Sequence, residues 1–97
     1  MKVRITKRAH FQIGQAALWW DENRPLAPGA FDEDLAEAFA LLSAEPGIGA
    51  PVPRMGAEDL RRLHLARIRY HLYYRVRNGQ VEVLALWHTS RGGGPSL

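Results

Sequence analysis

The sequence contains no cysteine, which removes disulfides, thiol nucleophiles and every cysteine-bearing zinc site together and leaves the redox compartment open. No run approaches the ~20 apolar residues that a bilayer-spanning helix needs. The opening MKVRITKRAHF places charge where a secretory signal would need its apolar stretch, so a soluble, cytoplasmic protein with no membrane partner is expected. Lysine is missing after Lys7, so every base of the second half is arginine, the side chain suited to planar, bidentate contact with phosphate or carboxylate. The chain is also short. Its 97 residues are too few for two hydrophobic cores, and 1–97 is expected to form one domain, with about 91–97 as a mobile glycine-rich tail. With 46% apolar and 24% charged residues, it lacks the signature of disorder.

Charge is unevenly distributed. Residues 1–50 carry five bases (Lys2, Arg4, Lys7, Arg8, Arg24) against seven acids, whereas residues 51–97 carry eight arginines against Glu58, Asp59 and Glu82. An anionic partner for the second half is implied.

Lys2–Ile5 alternates and ends at Thr6, which reads as a strand followed by a helix N-cap. Ala9 to about Asn23 reads as a helix with Ile13, Ala16, Ala17 and Trp20 on one face and Phe11 and Leu18 nearly opposite. Trp19 and Trp20 are both expected to pack on the sheet and the second helix. Arg24-Pro25-Leu26-Ala27-Pro28-Gly29 is a turn, and a second helix from about Gly29 to Ala44 carries the stripe Phe31, Leu35, Ala38, Phe39 and Leu42. Asp32, Glu33 and Asp34 in its first turn suit the helix dipole. Pro46 to Pro53 is a loop by composition.

Three strands are expected to follow. From 68 to 77, Ile68, Tyr70, Leu72, Tyr74 and Val76 alternate with Arg67, Arg69, His71, Tyr73, Arg75 and Arg77, the period of a strand with one apolar face. Asn78-Gly79 is the strongest short hairpin signal, because a type I′ turn needs two residues tolerant of positive φ. Pairing Arg77 with Gln80 implies Val76–Val81, Tyr74–Val83, Leu72–Ala85 and Tyr70–Trp87 on the core face, and Arg75–Glu82, Tyr73–Leu84, His71–Leu86 and Arg69–His88 on the other. Arg62 and His64 on the preceding strand extend that second face. Its arginines are not interleaved with acids, and Tyr73, Leu84 and Leu86 sit among them, which fits burial under a partner with acidic and apolar side chains.

Chemistry-bearing clusters are sparse. His64, His71 and His88 fall on neighbouring strands without a recognised metal-ligand spacing, so no metal and no cofactor are expected. Ser43, Ser90 and Ser96 stand outside any nucleophile-elbow context. A metal-free ribonuclease needs only a proton donor, a proton acceptor and cations for the phosphate. His71 or His88 could serve as the first two, and Arg69, Arg75 and Arg91 as the last.

The order strand, two-helix hairpin, three antiparallel strands resembles the ParE/RelE superfamily of toxins from bacterial type II toxin–antitoxin modules, including those called plasmid stabilisation proteins. The residues that carry the resemblance are Ala9, Ile13 and Trp19-Trp20 on the first helix, Pro46-Gly47-Ile48-Gly49, the run Arg62 to Val76 ending in "YRV", and Val81 to His88 with Arg91 beyond. The resemblance implies an α+β fold, β-α-α-β-β-β, with the helix hairpin packed on a mainly antiparallel twisted sheet. It also implies a toxin neutralised by a cognate antitoxin. RelE-type members cut mRNA on the ribosome using sheet-borne bases, an arginine on the penultimate strand and a terminal Tyr or His. Here His71 falls where that arginine would be, and no Tyr follows Tyr74. The departures favour the ParE branch, whose members act on DNA gyrase without a nuclease site.

The leading expectation is therefore a ParE-like inhibitor of gyrase with no catalytic residues. Its antitoxin or target would contact Arg62, Arg69, His71, Tyr73, Arg75, Arg77, Leu84, Leu86, His88 and Arg91, and the Phe11/Leu18 side of the first helix offers a second contact. The alternatives are a ribosome-dependent mRNA interferase using His71, His88 and Arg91, and an inactive antitoxin-binding module.

Overall fold

Strand β1 (Lys2–Ile5) ends where Thr6 turns extended and its side chain accepts from the Ala9 N–H at 3.2 Å. That cap starts helix α1 at Lys7, two residues earlier than the sequence suggests, and α1 runs to Asn23. The prolines of the 24–29 turn separate it from α2 (Ala30–Ala44), which Gly29 precedes. Three strands follow the expected loop: β3 (Arg61–Leu65), β4 (Tyr70–Arg77) and β5 (Gln80–His88). Within that loop lies a two-residue strand, β2 (Ala50–Pro51), paired antiparallel with β3. The computed structural model describes residues 1–53 and 59–97; Arg54 and Glu58, counted in the charge balance, lie outside the described residues.

The sheet order is β1-β5-β4-β3-β2, with β1 parallel to β5 and every other pair antiparallel. Both helices cover one face. Beneath them Trp20, Phe31, Leu35, Ala38, Leu42, Leu72, Tyr74, Val81 and Val83 form the core. The α2 stripe is buried as expected except for Phe39, which is half-buried. The tryptophan pair divides. Trp20 is buried, its indole N–H donating to Ala27 O at 2.8 Å, whereas Trp19 is 41% exposed and faces outward instead of packing inside.

The β4–β5 register follows the Asn78-Gly79 turn from Arg77–Gln80 through Tyr74–Val83, and there the expectation stops holding. The next pair is Tyr73–Ala85, so Leu84 is an extra residue on β5, a β-bulge. Beyond it each partner moves by one: Leu72 faces Leu86, His71 faces Trp87 and Tyr70 faces His88. A single added residue turns the following side chains to the other side of the sheet. Leu86 therefore lies in the core under the helices, not on the arginine face, and His88 lies on the helix side against Tyr70 (ring centroids 5.0 Å). The bulge improves packing, because unbroken pairing would have placed the smaller Ala85 opposite Leu72.

A second correction concerns the start of β4. The strand begins at Tyr70, and Arg69 sits in the β3–β4 turn with φ 64°, a left-handed conformation uncommon for a long side chain. Arg69 is thus not a member of the arginine face. Its carbonyl accepts from the Thr89 N–H at 2.9 Å and ties the turn to the end of β5.

Candidate interaction surfaces

The cationic face resolves into arginines already engaged and arginines still free. Glu82, on the sheet face away from the helices, is only 8% exposed and sits between Arg4 and Arg75. Arg75 Nε donates to Glu82 Oε1 at 2.9 Å, and Arg4 bonds the other oxygen. Burial pushes this carboxyl up, but the bonds from Arg4 and Arg75 outweigh it and hold Glu82 below the ordinary glutamate value. Arg75, expected to meet a partner's carboxylate, is instead committed within the chain.

Arg67 is engaged in the same way. Its Nε donates to Asp34 Oδ1 at 3.0 Å, and its Nη2 reaches Glu33 at 3.1 Å, so two acids near the start of α2 clamp the β3–β4 turn, Glu33 from the first turn and Asp34 just beyond it. Arg61 donates to Gly49 O at 2.7 Å. Among the described residues, Arg62, Arg69, Arg77 and Arg91 have no acidic partner.

On that same face Tyr73, Ala85 and Leu60 form a small buried cluster, with Leu84 and Trp87 packed at its edge. Tyr73 is 5% exposed, so it is not available to a partner as the face stands. The tail helps to cover it. Pro95 is fully buried, Arg8 bonds the Ser96 carbonyl, and a Cβ on Gly94 would lie 3.3 Å from the Tyr73 hydroxyl. The segment expected to be mobile therefore folds back across the sheet. Its path leaves a pocket of about 400 Å³ lined by Arg62, His71, Trp87, Thr89, Arg91 and the Gly93-Gly94 backbone. The Arg91 guanidinium lies 3.6 Å from the Trp87 ring centroid, close enough for cation–π attraction. His71 meets His64 ring to ring at 5.0 Å, tilted by 59°, and burial, together with the charges of Arg62 and His64, holds it below the ordinary histidine value.

The helix side carries a second, apolar surface. Phe11 is 68% and Leu18 61% exposed on α1, the outer stripe whose need for cover was legible in the helix period. With Trp19 they border a groove of about 800 Å³ running to Leu86, His88 and Arg91. Gln12 closes its floor: Leu86 N–H donates to Gln12 Oε1 at 2.9 Å, which satisfies a β5 donor lying beyond the last pairing with β1. His88 Nδ1 accepts from the Ser90 N–H at 3.1 Å, which leaves the neutral ring's proton on Nε2.

The three residues of the interferase alternative are therefore not brought together. His71 lies on the sheet face away from the helices and His88 on the helix side. The outer apolar stripe of α1 and the Gly93-Gly94 wall were the parts of these surfaces that the strand pattern alone missed.

Two helices on one face of a five-stranded mixed sheet make an α+β fold. The structure is similar to one described as "Chromosomal ParDE TA system from P. aeruginosa", with a TM-score of 0.73 and 20% identity over 93% of this chain and 97% of that one. The family model for the ParE toxin of the type II toxin–antitoxin system, parDE, matches residues 3–92, and the chain belongs to that family. No curated protein sequence is significantly similar to it.

Proposed function

We propose that the chain is a toxin that inhibits DNA gyrase by binding it and is held inactive by a cognate antitoxin. The observation that carries this reading is family membership over residues 3–92. The separation of His71 and His88 by the sheet supports a binding mechanism over a nuclease one, because general acid–base cleavage needs both groups within reach of one phosphate. The antitoxin surface favoured by the geometry is the α1 groove. An amphipathic segment would cover Phe11, Leu18 and Trp19 and place carboxylates near Arg8 and Arg91, both on its border. Of the residues expected to bind the antitoxin or target, Arg62, His71, Arg77 and Arg91 are assigned that role here, and His88 borders the α1 groove.

Induction of the protein without an antitoxin tests the reading. Filamentation and a DNA-damage response are expected, relieved by co-expression of the antitoxin. Leu18→Glu should abolish that relief while leaving toxicity intact. Translation arrest with cleaved messages would contradict a gyrase target, and harmless expression of folded protein would contradict a toxin.

A further inference from the structure

Among the described residues, the pocket on the outer sheet face is lined by several donors, with Val52, Pro53 and Tyr73 beside them, and by no acid. Arg62 and Arg91 border it without ionic partners among the described residues. The Trp87 indole N–H is buried with no hydrogen-bond partner among them, a state that costs about 1–3 kcal/mol when nothing satisfies it. Gly93 and Gly94, at φ 80° and 70°, form the tail-side wall, and neither N–H bonds a described residue. Successive backbone N–H groups in such turns make anion-binding concavities. Stacking on Trp87 pre-positions the Arg91 fork, so less side-chain freedom is lost when a ligand arrives.

We propose that this pocket binds a phosphate ester, the phosphate of a nucleotide or of a single-stranded nucleic acid. A carboxylate has two oxygens in one plane, enough to bridge two guanidinium groups as Glu82 bridges Arg4 and Arg75. That would still leave the indole N–H and the glycine N–H groups unmet. A tetrahedral phosphate presents oxygens in several directions and matches donors arriving from β3, β5 and the tail. The volume of about 400 Å³ exceeds what inorganic phosphate alone needs and leaves room for the esterified sugar. His71, on the pocket wall, is held below the ordinary histidine value by burial and by the Arg62 and His64 charges and offers a ring nitrogen as a hydrogen-bond partner. His88 lies on the other side of the sheet, so His71 and His88 cannot both reach one phosphate, and the proposal is of a binding site. The proposal does not depend on gyrase being the target.

Amide and indole NMR of the full chain, titrated in parallel with inorganic phosphate, a nucleoside 5′-monophosphate, a short single-stranded oligonucleotide and N-acetylglutamate, tests it. Saturable shifts of the Trp87 indole and of Gly93 and Gly94 are expected with the phosphate ligands and not with N-acetylglutamate. An oligonucleotide that binds at least about tenfold tighter than the monophosphate, with affinity falling steeply with salt, identifies nucleic acid as the source. Equal binding identifies the free nucleotide. Arg91→Gln should weaken binding about tenfold or more, and Arg62→Gln, at an exposed residue whose side chain bonds no described residue, provides the same test. Absence of saturable shifts, or an equal response to N-acetylglutamate, would overturn the proposal, the latter in favour of an acidic protein segment.

Discussion

The Tyr74 hydroxyl joins the sheet to the loop after α2. It accepts from the Gly49 N–H at 2.8 Å and donates to Pro46 O at 2.9 Å, and a Cβ at position 49 would lie 2.6 Å from it. The Pro46-Gly47-Ile48-Gly49 motif and the tyrosine of "YRV" are thus one contact seen from two sides. Because Tyr74 is fully buried, Tyr74→Phe leaves a buried donor and acceptor unmet and should cost about 1–3 kcal/mol in urea unfolding. Glu82 gives a pH signature. Its folded pKa lies below the ordinary value near 4.5, so its contribution is present above that value and is lost as pH falls through the folded pKa. Stability against pH should therefore fall more steeply below about pH 4.5 in the native chain than in Glu82→Gln, and equal acid profiles would show that the Arg4–Glu82–Arg75 bridge contributes nothing. Only the Arg75–Glu82 pairing was legible in the sequence, because the hairpin turn sets those residues opposite each other; the Arg4 contact depends on the parallel β1–β5 pairing.

At the level of elements, the limit of legibility falls at Leu84. Val81-Glu82-Val83 has one polar residue to mark its outward face, whereas Leu84-Ala85-Leu86-Trp87 is apolar throughout, so the two-residue period carries no information about which side is buried. The bulge then decides the faces for packing reasons that only the assembled helices supply. Leu86→Ala measures it. In the bulged register it empties a core site and should cost about 2–5 kcal/mol, while in the unbroken register it would be a surface change within about 0.5 kcal/mol. Arg69 reads as a strand residue for a related reason: nothing in its side chain favours the left-handed turn that tertiary context imposes on it. The glycine tail reads as mobile by composition, yet those glycines supply the positive φ that lets Pro95 reach the sheet.

Across the whole molecule, the two halves of the charge pattern have different fates. The acids of α2 hold Arg67 and the single buried acid of the sheet holds Arg4 and Arg75, so much of the apparent basic excess is spent inside the fold. What remains is an apolar groove along α1 on one side and a donor-lined pocket on the other. Element order, the helix hairpin and the family were readable from the chain, whereas the division of Leu86, His88 and Arg69 away from the arginine face was not. A toxin that works by binding needs no assembled catalytic trio, and His71 and His88 on opposite sides of the sheet fit that economy.

The most direct test of the central claim is supercoiling of relaxed plasmid by purified gyrase and ATP in the presence of the purified chain, with and without its antitoxin. Concentration-dependent loss of supercoiling, restored by antitoxin, is the predicted result. Unimpaired supercoiling by folded protein that nevertheless halts growth would contradict it.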